Sequence, residues 1–295
     1  MLATVPLAAE RPGGGQRDSQ STIRVDSSLV LVQVSVTDSQ NRPVMDLSRE
    51  MFRVFEGNVE QSVVHFSSED APISVAVVFD RSGSMSSSLS SAREAVARFL
   101  DTANPQDEFS LVEFSDRPRV VVPFTGTAEE IQDRLLSTEA GGKTALLDAV
   151  RLALDTLRGA HNPRKALLVI SDGGDNDSRY RAEELRDVLR EADARIYSIG
   201  IFRQSVMLPE EEPAGPHLLA MLSEETGGRQ FAVRDRRELA GIGEKIGLEL
   251  HNQYLLGFRP PQHLADGRYH TLQVKITGKR GLRVSFRRGY YDRQD

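Results

Sequence analysis

Apolar and polar positions alternate with one period near the two ends of this chain and with another through its middle. From residue 28 the texture has period two: Val30, Val32, Val34 and Val36 alternate with Leu31, Gln33 and Ser35, which predicts a half-buried strand. A turn over 38–43 follows, then two strands over 52–58 and 62–66 joined by a glycine turn, and a linker over 67–72. Beyond His251 the same texture returns in strands over 253–259, 271–276 and 282–287, separated by turns at Pro260-Pro261, at Asp266-Gly267 and over 278–281. Neither flank can bury its alternating faces alone. Residues 28–66 and 253–288 are therefore expected to pair into one β-sandwich-like unit with the middle of the chain inserted between them.

The middle changes period. Residues 75–79 are an unbroken valine-rich apolar run, the mark of a strand buried on both faces of a mostly parallel sheet. Leu89, Ala92, Ala95, Val96, Phe99 and Leu100 then repeat at helical spacing. Strands over 109–115 and 120–124 around a short turn predict a hairpin with an antiparallel edge strand. Helices at 127–138 and 144–159, a strand over 167–171, a helix through Leu185 and Leu189, a strand over 195–201, and helices at 216–226 and 235–250 around a strand at 229–233 complete the series. The order βαββααβαβαβα predicts an α/β fold, a doubly wound, mostly parallel, Rossmann-like sheet.

The first buried strand stops at a carboxylate. In Asp80-Arg81-Ser82-Gly83-Ser84 one carboxylate and two hydroxyls alternate along a short turn, and its glycine permits tight curvature. Ligands gather beyond the carboxyl ends of strands in open α/β sheets, and hard oxygen groups suit a hard cation such as Mg²⁺. A helix cap or a flexible serine tract would give the same local sequence. Two later stretches favour a site: Gly141-Gly142-Lys143-Thr144 offers a hydroxyl before a long apolar helix, and 167–174 is a second buried strand, ending in Asp172-Gly173-Gly174. This pattern resembles the metal-ion-dependent adhesion site of von Willebrand factor type A domains, with Asp80, Ser82, Ser84, Thr144 and Asp172 at its five positions. The flanking β segments and phrases such as Gly289-Tyr290-Tyr291 are similar to bacterial, acidobacterial-type proteins with a related domain and β-rich flanks, often exported.

The resemblance implies binding rather than turnover. Ser82, Ser84 and Thr144 would offer hydroxyls and Asp80 and Asp172 carboxylates to Mg²⁺, or to Mn²⁺ or Ca²⁺, and a protein ligand would present its own Asp or Glu. Neutral hydroxyls leave most of the double charge uncancelled, so the ion seeks one more anionic oxygen. The alternatives are a scaffold whose cation only ties the loops together, or a non-catalytic subunit of an envelope or metal-insertion complex. Asp175 and Asp177 read as solvated loop acids beside the site.

Composition then narrows the classes. The chain has 295 residues, 39% of them hydrophobic, enough for a large core, and its net charge of −6 offers no basic footprint for nucleic acid. No cysteine is present, which excludes disulfides and thiolate metal sites, and no apolar run of membrane-spanning length occurs. Gly142-Lys143-Thr144 resembles the end of a phosphate-binding P-loop, but Ser137 stands where the first glycine is required and a helix precedes the loop. An aspartyl-phosphate phosphatase would need a second aspartate where Ser82 stands, no Gly-x-Ser-x-Gly elbow exists, and the glycine and glutamate register of an EF-hand is missing around Asp172. The chain is expected to be no enzyme. Residues 1–24 read as a leader, either an ordinary polar tail or the remnant of a secretion signal, so export and a cytoplasmic location both stay open. The expected division is leader 1–24, β-rich flank 25–70, α/β domain 71–250 and β-rich flank 251–292.

Overall fold

A computed structural model describes residues 29–68, 70–202, 214–260 and 267–292. The expected leader lies outside these residues. The middle of the chain forms a six-stranded sheet, in spatial order β10 (Gln230–Val233), β9 (Arg195–Ile201), β8 (Arg164–Ser171), β5 (Ile73–Asp80), β6 (Glu108–Phe114) and β7 (Arg119–Thr125). All neighbours pair in parallel except β6 and β7, the edge hairpin. All eight residues of β5 are buried, as its unbroken apolar run requires at the centre of a two-faced sheet.

Alternate residues of β5 feed two cores. Val75, Val77 and Phe79 face α1 (Leu89–Leu100), α2 (Ala128–Leu136) and α6 (Leu239–His251). Ala76 and Val78 face α3 (Leu146–Leu157), α4 (Ala182–Glu191) and α5 (Ala214–Glu225). Helices α1 and α6 approach closely because Gly243 has no side chain: a Cβ there would lie 2.0 Å from the Ala95 carbonyl oxygen. This is the doubly wound order expected from the periodicity.

The flanking segments interleave into two antiparallel sheets. One runs β13 (Arg283–Phe286), β1 (Val30–Thr37), β11 (Tyr254–Phe258), β4 (Val63–Ser67); the other runs β14 (Gly289–Tyr291), β12 (Tyr269–Ile276), β2 (Phe52–Glu56), β3 (Val59–Gln61). Strand β1 thus pairs on both sides with strands from the far end of the chain, and β2 pairs with β12. Val32, Val34, Val36, Phe52, Val54, Leu256 and Val274 share one core, and the rings of Phe52, Phe66 and Tyr254 pack with centroids 4.8–5.7 Å apart.

Three local expectations change. The glycine turn, with Gly57 at φ +57°, joins β2 to the three-residue β3 rather than to β4; after Ser62 the chain crosses to the other sheet, where β4 pairs with β11. Strand β14 was not expected, and it begins at Gly289, where a Cβ would meet the His270 carbonyl oxygen at 2.3 Å. Strand β1 is half-buried only at its start: Leu31 is exposed, whereas Ser35 and Thr37 are buried. Those two face the α/β unit, where Arg195 Nη1 donates to Ser35 Oγ at 2.7 Å and Arg229 Nη1 to Thr37 Oγ1 at 3.4 Å.

Candidate metal centre

Strand β5 delivers Asp80 to the carboxyl end of the sheet with its side chain fully buried. Its Oδ1 accepts the Ser82 N–H at 2.8 Å, which folds the chain back directly after the strand. Its Oδ2 accepts the Ser171 hydroxyl at 2.6 Å, across the β5–β8 pairing that sets Phe79 opposite Ile170. After Ser82 a 3₁₀ helix over Gly83–Ser87 presents Ser84, whose Oγ lies 3.0 Å from Ser82 Oγ. Gly83 lies outside the left-handed region, so tight curvature is not its role here. The strained glycine is Gly142 at φ +85°, where a Cβ would come within 2.7 Å of the Asp116 carboxylate.

Three loops interlock around these groups. The Gly83 N–H donates to the Gly142 carbonyl at 3.0 Å, and the Gly141 N–H to the Arg81 carbonyl at 2.8 Å, which fastens the loop carrying Thr144 to the loop after β5. The Thr144 N–H donates to Asn176 Oδ1 at 3.0 Å, and the Thr144 carbonyl accepts the N–H groups of Asn176 and Asp177 at 2.9 and 3.1 Å. Thr144 is thereby held from both sides, buried, two residues before α3. Asp172 follows β8, half-buried, with Oδ1 taking the Gly174 N–H at 3.3 Å. Gly173, at φ +81°, lets that loop turn where a Cβ would strike Gly215.

The electrostatics ask for a cation. Burial pushes the Asp80 carboxyl up to about 6; the hydrogen bonds from Ser171 and Ser82 oppose this, and the charge of Asp172 adds to it. Among the described residues no Lys, Arg or His forms an ion pair with Asp80 or Asp172. Arg81 sits beside Asp80 in sequence but turns away, donating to the Glu139 carbonyl at 3.1 Å and to Ser115 Oγ at 2.8 Å. Two carboxylates, Asp172 bearing on the charge of Asp80, stand with three hydroxyl residues in one cluster of loops. This all-oxygen donor set suits Mg²⁺, Mn²⁺ or Ca²⁺, and a double positive charge would offset the cost of ionising Asp80. Only two carboxylates are present, and no cluster of three or more His, Cys, Asp or Glu with metal-binding spacing exists among the described residues.

The neighbouring acids play other parts than expected. Asp175 is half-buried and caps α3: its Oδ1 takes the Leu146 N–H at 2.9 Å and the Ser178 hydroxyl at 2.5 Å, and burial raises its carboxyl despite those bonds. Asp177 pairs with Lys143 at 2.7 Å. Neither is simply a solvated loop acid. Sequence reasoning also passed over Ser171 and Asn176, which hold Asp80 and Thr144; the only signal for them was their position, one beside the strand-terminal aspartate and one in the loop behind it.

Comparison with known proteins agrees with the fold of the α/β unit. Residues 75–174 match the family model of the von Willebrand factor type A domain. An uncharacterized protein of Borreliella burgdorferi is 23% identical over 227 residues, covering 66% of this chain and 65% of that protein. The human inter-alpha-trypsin inhibitor heavy chain H4 is 26% identical over 141 residues, which is 43% of this chain and 15% of the relative. The chain thus spans less than two thirds of the length of these relatives. Among solved structures, a von Willebrand factor type A protein from Catenulispora acidiphila superposes with a TM-score of 0.52 at 14% identity, covering 88% of this chain and 73% of that one. An aerotolerance-related membrane protein from Bacteroides fragilis gives a TM-score of 0.50 at 15% identity, covering 60% of this chain and 98% of that one. At such identities the superpositions speak to the fold alone.

Proposed function

This chain contains a von Willebrand factor type A domain, and we propose that the domain is a non-catalytic, cation-dependent protein-binding module. Domains of this type typically serve in adhesion or protein interaction. In the proposed reading Asp80, Ser82, Ser84, Thr144 and Asp172 hold a divalent cation, Mg²⁺ first among the candidates. The ion, when bound, supplies Lewis acidity toward one carboxylate oxygen of a protein ligand. The chain's own residues orient the site: Ser171 and the Ser82 N–H fix both oxygens of Asp80, and Asn176 fixes the loop carrying Thr144.

The observation that carries this reading is the buried Asp80 carboxylate with no basic partner among the described residues and a second carboxylate raising its pKa. In a domain without a ligand such an arrangement is a standing cost. A macromolecular partner fits the surroundings better than an enclosed small molecule, because Ser86, Ser90 and Arg117 leave a polar, exposed rim. Ser88 is the exception on that rim, since it is buried at the start of α1. A location outside the cytoplasm is part of the proposal, supported by the membrane-protein description of the Bacteroides fragilis structure. No helix among the described residues is long and apolar enough to cross a membrane.

Affinity capture from envelope extracts, with Mg²⁺, with EDTA and with Thr144→Ala protein, tests the reading. Captured proteins present only with Mg²⁺ and the unaltered chain are expected. The same set under all three conditions would overturn it, and a purely structural cation would then be indicated if Mg²⁺ still raised Tm.

A further inference from the structure

At the opposite end of the central sheet from Asp80, a cavity of about 370 Å³ opens where the α/β unit meets the sandwich. Among the described residues its charged lining is Arg164, Lys165, Arg195 and Arg287 against Asp70 and Asp193, four cations against two anions. Arg164 opens β8 and Arg195 opens the adjacent β9, paired so that Ala166 faces Arg195. Both arginines are buried, at 8% and 5% exposure, in a residue type that mostly stays in water. Arg195 is held by neutral oxygens only: Ser35 Oγ at 2.7 Å, the Gln33 carbonyl, and the Ser285 carbonyl at 3.5 Å.

The two acids are placed at the margin of this group or engaged outside it. Asp193 is largely exposed and lies 3.8 Å from Arg287, and Asp70 is engaged with His251 at 3.1 Å and with Asn104 at 2.5 Å. Burial lowers the pKa of Arg164, Asp70 counters that, and the charge of Arg195 lowers it further, so the two guanidinium groups repel. Burial likewise lowers Arg287, whose buried Nε has no hydrogen-bond partner. The remaining wall is apolar, with Leu31, Pro163, Ala194 and Leu255.

We infer that this cavity is a binding site for a small organic anion, a phosphate ester or carboxylate with a short apolar body. Guanidinium groups bind both oxyanions in two-pronged fashion, and the cavity volume falls in the range of pockets that hold small organic molecules. The lining comes from both units: Leu31 and Arg287 belong to the sandwich, Arg164 and Arg195 to the α/β sheet. Bound ligand therefore bridges the seam between them. The site does not depend on the cation-binding reading.

Phenyl phosphate, benzoate, inorganic phosphate and phenol are the probes, titrated calorimetrically into the full chain at constant ionic strength with EDTA present, so that no divalent cation can hold phosphate elsewhere. Saturable binding of phenyl phosphate or benzoate is expected, at least fivefold tighter than inorganic phosphate, with none for phenol; which of the two binds tighter separates the phosphate from the carboxylate class. Arg164→Gln and Lys165→Gln should each weaken it at least fivefold, while Asp80→Ala leaves it unchanged. Amide chemical-shift changes should centre on Ala71 and Ala194. No saturable binding by any probe, undiminished binding by both cavity variants, or shifts centred elsewhere would overturn the inference.

Discussion

Replacing Asp80 by Asn in metal-free protein isolates the cost on which the cation reading rests. The Asp80 carboxyl is raised from 3.8 to about 6, chiefly by burial. With the folded value above the unfolded one, the folded state holds this proton more tightly. The associated stability is complete below pH 3.8 and is lost as pH rises through about 6. A shift of about two units corresponds to about 3 kcal/mol at pH 7.5, at ~1.4 kcal/mol per unit. Asparagine removes that cost and keeps the shape: Oδ1 still accepts the Ser82 N–H, and Nδ2 can donate to Ser171 Oγ in place of the bond now running the other way. Exchanging a charged acceptor for a neutral group forfeits about 1–2 kcal/mol of hydrogen bonding, leaving a net gain of roughly 1–2 kcal/mol. Since ~1 kcal/mol moves Tm by about 2–4 °C in proteins of this size, Asp80→Asn should melt roughly 2–8 °C above the unaltered chain at pH 7.5 in EDTA. The advantage should vanish near pH 4 and reverse in saturating Mg²⁺, which stabilises only the unaltered protein. Scanning calorimetry over pH 4–8 reads all three. If Asp80→Asn melts no higher at pH 7.5 in EDTA, or if its advantage is the same at pH 4, the buried carboxylate is not under electrostatic stress and the argument for a cation fails.

Calorimetric titration of Mg²⁺ should give one site for the unaltered chain and no binding for Asp80→Ala, whose folded circular-dichroism spectrum should be unchanged. Glu249 is 1% exposed, lies 2.8 Å from Arg229 Nη2, off the line of a hydrogen bond, and accepts the Tyr197 hydroxyl at 3.1 Å; Glu249→Ala strands the Arg229 charge and should cost about 3–5 kcal/mol in urea unfolding. Burial opposes protonation of His251, but the carboxylates of Asp107 and Asp70 outweigh it and raise its pKa above 6.5, so its NMR titration midpoint should lie higher. Its stabilisation is then complete below pH 6.5 and lost as pH rises through the raised value, an effect that His251→Gln should abolish. Gly243→Ala should lower stability by roughly 1–3 kcal/mol, because its Cβ would collide with the Ala95 carbonyl on the facing helix.

What was legible in the sequence follows burial geometry. A strand covered on both faces, such as β5 or β8, must be apolar without interruption, and the amphipathic helices between such strands fix the layer order. The five candidate oxygen residues stood out because they fall where the pattern breaks: Asp80 and Asp172 at the ends of buried strands, Ser82 and Ser84 in the turn that follows β5, and Thr144 just before α3. Strands β3 and β14, three residues each, are too short for any period to show. The strand after β3 could not be assigned to a sheet, since a single residue, Ser62, separates the two and local texture does not record the crossover. The capping role of Asp175 depends on where the 172–178 loop meets α3, and the burial of Arg164 and Arg195 depends on strands from the other unit. Those contacts are tertiary; Arg195 and Ser35 lie 160 positions apart.

Both crossings between the two units lie at the same end of the central sheet, and this decides which end is free to meet a partner. The chain enters the α/β unit through Asp70, Ala71 and Pro72 into Ile73 and leaves it where α6 ends at His251. His251 ties the crossings together, with Nδ1 at 3.1 Å from Asp70 and Nε2 at 3.2 Å from Asp107, whose other oxygen takes the Ile73 N–H at 2.9 Å. Asp80 stands at the far end of the eight-residue β5, roughly 25 Å away at ~3.3 Å per residue. The sandwich therefore covers the end of the sheet that carries Arg164 and Arg195, and it leaves the loops around Asp80 uncovered. A ligand at those loops and an anion at the seam would touch no common residue. Any coupling between them would have to pass along β5 and β8, whose residues are close-packed on both faces and have little room for two discrete arrangements. The two sites are accordingly expected to bind independently: saturating phenyl phosphate should leave the Mg²⁺ affinity within twofold, measured with the phosphate at the seam and the cation titrated last. A larger change that persists with benzoate, which chelates Mg²⁺ only weakly, would show that the central sheet is not the rigid spacer its packing implies.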